Sequence, residues 1–452
     1  MATTTHTRIC SICEAGCGLA ISADGRTVLG VTANDDDLFS QGHVCAKGIA
    51  LKELDVDPDR LRTPLVRKNG QLQPASWDEA MTAINTKLQS VKAKHGSKSV
   101  AAYIGNPTAH NIGATMALGP LLGTLDSGAI FSAGTVDQIP KHLACELMFG
   151  DDFAIPVPDI LHCDFLVVLG ANPVVSNASL WVVPKIRERL RALKQRGGKL
   201  VTVDPRRTET ARLADQHLAI EPGADAWLLI GLINTLYAAG ARPNANLQCT
   251  RIEPLLDSIA DVSLDSVAAR TGIAVDVIEN LANELRSAKA PVLYGRIGTT
   301  VQLFGTLTSF LIEVVNILIG ALDQTGGAMF PEQPLFKHRP KSGVRYNRYQ
   351  SRVSGYPEVL GQLPVATLAE EIETPGEGQI RALFCFSGNP VVSNPASKRL
   401  AQALDTLDLL VCCDIYQTET TRYADVVLPG TSPFEECHYD SFLGSMGYKN
   451  TA

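Results

Sequence analysis

Hydrophobic positions along this chain fall into two alternating rhythms. Short apolar runs bounded by small or acidic residues recur at 100–105, 165–170, 199–204, 291–295, 382–386 and 407–414. Runs of that length without a polar face predict strands buried on both sides. Between them, apolar residues return every three or four positions, at 113–124, 180–195, 224–239 and 303–322, which predicts helices. An earlier helix starts at Ser76, which stands three residues before Glu79 as in a capping box, with Ala80, Ile84 and Leu88 on one face. The 303–322 stretch is the longest apolar one, yet it holds Glu313 and Asn316 and keeps helical spacing. It predicts a buried helix, and no membrane span is expected. Residues 19–29 read as a hairpin around Asp24-Gly25, in a segment short on helix signals. Strands alternating with helices predict βαβ units and a mainly parallel sheet.

An internal repeat sharpens that picture. NPVVSN occurs at 172–177 and again at 389–394, and both 204–215 and 414–425 match D-x3-T-E-T-x-R-x-A-D. The first pair is offset by 217 positions and the second by 210. Two motifs in one order at nearly one offset point to two related units. In each copy Asn-Pro follows a buried strand, at Gly170 to Asn172 and Gly388 to Asn389, where open α/β sheets place ligands. Asp204 and Asp414, each closing the next strand, can accept hydrogen bonds from a ribose hydroxyl or guanine N–H groups. The Thr-Glu-Thr that follows, from Thr208 and from Thr418, offers hydroxyl and backbone donors. Helix capping and plain turn chemistry explain one such copy. Two copies favour a pair of nucleotide sites.

Bulk composition narrows the class. The chain has 452 residues, enough for several domains, with 45% apolar and 19% charged residues. A net charge of −7 and the lack of a basic tract argue against nucleic acid as a partner. The first residues hold neither an apolar signal core nor a twin-arginine pair, so a cytoplasmic location is expected. Of eleven cysteines, seven are scattered and read as buried free thiols. The other four, Cys10, Cys13, Cys17 and Cys45, are separated by two, three and 27 residues. Gly16 and Gly18 permit a tight loop around something that these thiolates share. Converging sulfurs suit zinc or an iron–sulfur cluster, and a short triple with a remote fourth is closer to cluster ligation.

A four-cysteine unit followed by two nucleotide-binding α/β copies resembles the molybdenum/tungsten bis-pterin-guanine-dinucleotide oxidoreductases. That group includes formate dehydrogenases, periplasmic nitrate reductases and dimethyl sulfoxide reductase. The matching residues are CxxCxxxC with CxKG at 45–48, GANP at 170–173, VDPR at 203–206, PGAD at 222–225, SGNP at 387–390 and DIYQTETTRYADVVLP at 414–429. The resemblance implies an α/β fold: a small strand-rich iron–sulfur domain at 1–59 and two related Rossmann-like units. One unit spans 133–328; the other is discontinuous, 60–132 with 329–440. It also implies a 4Fe–4S cluster on Cys10, Cys13, Cys17 and Cys45, with Lys47 between the cluster and one pterin. Gly170, Asn172, Asp204, Arg206, Thr208 and Asp225 would hold one guanine dinucleotide. Gly388, Asn389, Asp414 and Thr418 would hold the other. A small-molecule substrate and an electron-transfer protein or subunit are the implied partners.

Two departures from the family pattern stand out. Formate dehydrogenases and periplasmic nitrate reductases supply Cys or selenocysteine to the metal, yet the corresponding stretch here, 134–138, has no Cys. Asp137 as a carboxylate or Thr135 as an alkoxide are the candidate ligands, and both suit oxo transfer better than formate oxidation. The family's C-terminal pterin-binding barrel would lie beyond 428–436, so the chain reads as truncated. Besides the redox enzyme, two further readings follow: a non-catalytic cluster-binding remnant, and a non-redox hydratase with Glu14, beside Cys13, as acid/base.

Overall fold

The computed structural model describes residues 3–126, 129–332, 343–439 and 446–449. The chain divides into two compact units. One comprises Met1–Asp37, Gln41–Val136 and Arg345–Phe442; the other comprises Leu38–Ser40, Asp137–Val344 and Leu443–Ala452.

The first unit opens with a three-stranded antiparallel sheet, Thr4–Ile9, Gly18–Asp24 and Thr27–Ala33, in that spatial order. Gly25 turns the second strand into the third with φ +60°, where a side chain would be strained. Two short helices, Ala46–Ile49 and Leu51–Val56, follow. The rest of the unit is a seven-stranded sheet. Its parallel core runs Val426–Leu428, Leu409–Cys413, Ala382–Phe386, Val100–Ile104 and Ala129–Ser132, with Leu65–Lys68 and Gln71–Pro74 antiparallel at one edge. Strand side chains alternate between two cores. Tyr103, Leu383 and Leu410 face helices Leu368–Glu373 and Ser397–Leu404, while Val100, Phe384 and Val411 face helix Trp77–His95.

The second unit is built on four parallel strands in the order Gln216–Leu218, Lys199–Val203, Phe165–Leu169, Pro291–Gly295. Val167, Val201 and Leu293 point toward helices Asp225–Ala238, Val275–Ser287 and Gly305–Leu318; Leu166, Leu200 and Val292 point the other way, toward Ile186–Gln195. Coverage on both faces is why these strands read as unbroken apolar runs.

The two sheets repeat one register. Phe165 pairs with Lys199 and Pro291, as Ala382 pairs with Leu409 and Val100; Val203 pairs with Leu218 as Cys413 pairs with Leu428. The strand that pairs with Phe165–Leu169 on its far side lies later in the chain, at Pro291–Gly295. Its counterpart beside Ala382–Phe386 lies earlier, at Val100–Ile104.

Most local expectations match the elements formed. Ser76 accepts a hydrogen bond from the Glu79 N–H at 3.1 Å and caps its helix, and Glu313 and Asn316 are buried within Gly305–Leu318. The 180–195 helix is the exception: it starts only at Ile186. Ala178, Leu180 and Lys185 take left-handed backbone, and Trp181 is fully buried with its indole N–H on the Pro158 carbonyl at 2.8 Å. The apolar residues at 180–183 are therefore a core plug, and their spacing imitates a helix face.

The loops at the carboxyl ends of the strands approach closely. The Gly105 N–H reaches the Phe386 carbonyl at 2.7 Å, and a methyl on Gly105 would run into the Ser387 carbonyl. Backbone cannot yield there, so Gly105→Ala should lower the urea midpoint by about 2 kcal/mol of stability or more. Gly123→Ala, in the exposed helix Ile112–Leu125 with open space around it, should instead raise stability by about 0.5–1 kcal/mol.

Candidate functional site

The cysteine loop leaves the end of strand Thr4–Ile9. The Cys10 N–H donates to the Cys17 carbonyl at 2.8 Å and the Gly16 N–H to the Cys13 carbonyl at 3.2 Å, with Gly16 at φ +50°. Cys10 and Cys17 are buried, whereas Cys13 and Cys45 are half-buried. Cys45 directly precedes helix Ala46–Ile49, where a methyl on Gly48 would lie 3.6 Å from the Cys10 sulfur. Burial raises the Cys10, Cys13 and Cys17 thiols, Cys17 to about 12, and mutual repulsion with the Cys45 sulfur adds to it. The Lys47 ammonium opposes the rise at Cys10 and Cys13, and the Glu14 carboxylate adds to it at Cys13.

Four sulfurs thus share one electrostatic neighbourhood and need a cationic centre to hold them as thiolates. Yet among the described residues no three Cys, His, Asp or Glu side chains converge as ligands of a single ion. A loop carrying three cysteines, with a fourth at the head of the following helix, suits a multi-iron cluster.

The two Asn-Pro turns are built alike. After strand Phe165–Leu169, Gly170 takes φ +53° and packs on Gly298 and Thr299 too tightly for a side chain. The Asn172 side chain then works in both directions. Its Nδ2 donates to Glu209 at 2.7 Å, and its Oδ1 accepts from the Thr210 hydroxyl at 2.8 Å. Thr210 in turn accepts the Val174 N–H at 3.2 Å. The second copy repeats this: Asn389 Nδ2 to Glu419 at 2.8 Å, the Thr420 hydroxyl to Asn389 Oδ1 at 2.7 Å, and the Val391 N–H to Thr420 at 3.2 Å. Each asparagine amide holds its glutamate below the usual carboxylate range. Gly388 lies against the Tyr103 ring, which leaves no room for a side chain, and its carbonyl accepts from the Cys385 thiol at 3.2 Å.

The acidic residues stand at the ends of neighbouring strands. Asp204 accepts the Arg206 N–H at 2.8 Å, and Asp414 accepts the Ile415 N–H at 2.7 Å. Burial raises the Asp414 carboxyl, opposed by the backbone N–H groups of Tyr416 and Ile415. Burial also raises Asp225, opposed by the Gln302 amide at 2.8 Å; the Asp204 charge adds to the rise. Carboxylates answered by neutral N–H donors suit the donor edge of a guanine base, so these residues fit a guanine nucleotide. The Thr208 hydroxyl accepts the Ala211 N–H at 3.1 Å, and that of Thr418 accepts the Thr421 N–H at 3.3 Å, so both shape their loops. The Arg206 side chain is exposed, 3.5 Å from Glu209.

Thr135 and Asp137 have defined partners. The Thr135 hydroxyl donates to the Ser132 carbonyl at 3.2 Å and accepts the Val365 N–H at 2.9 Å. Asp137 pairs with Arg296 at 3.0 Å, and the Arg296 guanidinium also grips Ser179 through Nε and Nη2. Sequence reasoning missed Arg296 and Gln302, which face their carboxylates across 159 and 77 positions of chain. It read the Thr-Glu-Thr of each copy as a source of donors, and missed that Glu209–Thr210 and Glu419–Thr420 staple the asparagines.

The cysteine loop and the paired Asn-Pro turns belong to an α/β protein with a small strand-rich unit and two parallel sheets of one register. Residues 60–445 match the molybdopterin oxidoreductase family and residues 3–54 its Fe4S4 domain. The chain belongs to the molybdopterin oxidoreductase family, with the 4Fe–4S cluster and molybdenum or tungsten pterin that those domains carry. It is 26% identical to the assimilatory nitrate reductase catalytic subunit of Bacillus subtilis, over 96% of this chain and 63% of the relative. It is 26% identical to an F420-dependent formate dehydrogenase alpha subunit of Methanococcus maripaludis, over 94% of this chain and 64% of that one. Acetylene hydratase from Pelobacter acetylenicus shares the fold, with a TM-score of 0.79 at 20% identity over 94% of this chain and 62% of the hydratase. The chain thus spans just under two thirds of the length of these proteins. Among the described residues no helix is long and apolar enough to cross a membrane.

Asn172→Ala and Asn389→Ala should each cost about 1–3 kcal/mol, measured by urea unfolding, since each strands a threonine hydroxyl and a glutamate. Glu209→Gln and Glu419→Gln keep an acceptor for the asparagine and should stay near the wild-type midpoint.

Proposed function

We propose that the chain is the cofactor-binding part of a molybdenum or tungsten oxidoreductase whose metal is carried by two pterin guanine dinucleotides. One observation supports this above all: the stapled Asn-Pro turn and its partner loop occur twice, at the carboxyl ends of two parallel sheets in one register. In this reading residues 1–59 bear the cluster, 133–328 bind one dinucleotide, and 60–132 with 329–440 bind the other.

The chain's own residues prepare each step. Cys10, Cys13, Cys17 and Cys45 bind the cluster, and the Lys47 ammonium stabilises the negative charge that an added electron brings. Asp204 and Asp225 orient one guanine, and Asp414 the other. Asn172 and Asn389 hold the surrounding loops in shape. Asp137 is the better supported metal ligand of the two candidates, because the Thr135 hydroxyl already donates to Ser132 and accepts from Val365. Arg296 aims Asp137 through their ion pair at 3.0 Å. When bound, the metal centre supplies two-electron exchange with a small substrate and the cluster passes electrons singly to a partner protein.

Protein purified without oxygen should show a visible absorption band bleached by dithionite, and Cys17→Ser should lose it; a colourless wild-type chain would remove the cluster assignment. Acid hydrolysis should release two guanine nucleotides per molybdenum or tungsten, and a single one would defeat the paired-site reading. Asp137→Ala should leave iron content unchanged and shift the metal's X-ray absorption edge. An unshifted edge removes Asp137 from the ligand role.

A further inference from the structure

The small sheet that feeds the cysteine loop has two unlike edges. Strand Thr27–Ala33 is the covered one, with Val28 and Val31 buried beneath the short helices. Strand Thr4–Ile9 is exposed at all six positions, and among the described residues no strand pairs with its outer side. The Cys10 N–H bonds inward to Cys17, and the register sets Arg8 against Leu19, His6 against Ile21 and Thr4 against Ala23. Inward bonding alternates along an antiparallel pair. Thr5, Thr7 and Ile9 therefore turn their N–H and C=O groups outward.

Natural proteins guard such an edge with proline, lysine, a bulge or an inward charge. Thr4–Ile9 has no proline or lysine and an unbroken register; the irregularity lies on the other side, at Ser22/Ala23. Four of its six residues are β-branched. Its one formally charged side chain, Arg8, reaches the Glu436 carbonyl at 3.1 Å. A groove of about 380 Å³ runs beside Thr7, Arg8 and Ile9 and is flanked by the carboxylates of Asp37 and Glu436. The strand ends at Cys10. Residues 1–59 carry nine Asp and Glu against four Lys and Arg, so they hold −5 of the net −7.

We infer that Thr4–Ile9 is a docking edge that accepts a β-strand from a basic electron-carrying protein. This rests on the redox reading above, since the cluster gives such a partner its reason to sit there. Main-chain hydrogen bonds to Thr5, Thr7 and Ile9 supply the affinity, and cationic side chains facing Asp37 and Glu436 supply the selectivity. A second copy of this chain is the wrong occupant, because it would bring another surplus of acidic groups to the same edge.

Thr7→Pro tests the edge directly. It removes an outward donor and keeps the inward ladder, the one arrangement in which an edge strand tolerates proline. Thr7→Val is the control, and the bleachable visible band reports that each variant keeps its cluster. The probes are two short fluorescent peptides, one alternating Lys with Val and Thr, the other Glu with Val and Thr, followed by anisotropy. The Lys peptide should bind the wild type and Thr7→Val alike, roughly tenfold more weakly to Thr7→Pro, and more weakly as salt rises. Equal binding to Thr7→Pro, or equal binding of the Glu peptide, would overturn the inference. So would a wild type that sediments as a dimer beside a monomeric Thr7→Pro. Peptide binding does not depend on the cluster, so a wild type without the visible band would sink the redox reading while the binding result stood.

Discussion

The architecture depends on an asparagine amide that faces two ways. At the ends of strands Phe165–Leu169 and Ala382–Phe386 the chain must turn sharply and still present its backbone outward. The amide oxygen takes a threonine hydroxyl from the next loop, and the amide nitrogen takes the adjoining glutamate. Two loops separated by some thirty to forty residues are thereby locked together with every polar atom of the amide engaged. A hydrogen-bond network of this kind is stiff only when complete. Its recurrence with the same partners suggests that stiffness at the strand ends, more than any one ligand contact, is what both copies preserve.

The cysteine loop works under the opposite constraint. Its sulfurs are close enough to repel one another as thiolates, and burial adds to the cost of ionising them. A positive centre relieves both costs, and the Lys47 ammonium opposes the rise at Cys10 and Cys13. The lysine fits that arrangement as a fixed cation at the rim, able to respond when the charge inside changes.

Much of this was legible in the sequence because it is local. Buried strands announce themselves as apolar runs, Ser76 caps a helix three residues from Glu79, and the repeated hexapeptide marks both turns. The rest depends on contacts across long stretches of chain. The sequence reading counted Asn172 and Asn389 among the residues gripping a nucleotide; the structure places their amides against Thr210, Glu209, Thr420 and Glu419. Nothing local to Asp137 foretells Arg296, and nothing near Asp225 foretells Gln302. The 178–185 segment misled because a buried plug around Trp181 carries the same spacing of apolar residues as a helix face. Its left-handed residues and the pairing of its indole with Pro158 distinguish the two.

The inverted position of one strand has a consequence for synthesis on the ribosome. The second unit's sheet is closed by strands that all lie between Phe165 and Gly295. The larger sheet takes Val100–Ile104 as an inner strand, yet its neighbour Ala382–Phe386 follows 278 positions after Ile104. At translation rates of about 5–20 residues per second that strand waits roughly a quarter of a minute to a minute for its partner. Through that interval the run Val-Ala-Ala-Tyr-Ile has one edge open and an apolar face uncovered, so a nascent chain needs shelter there before it needs any cofactor.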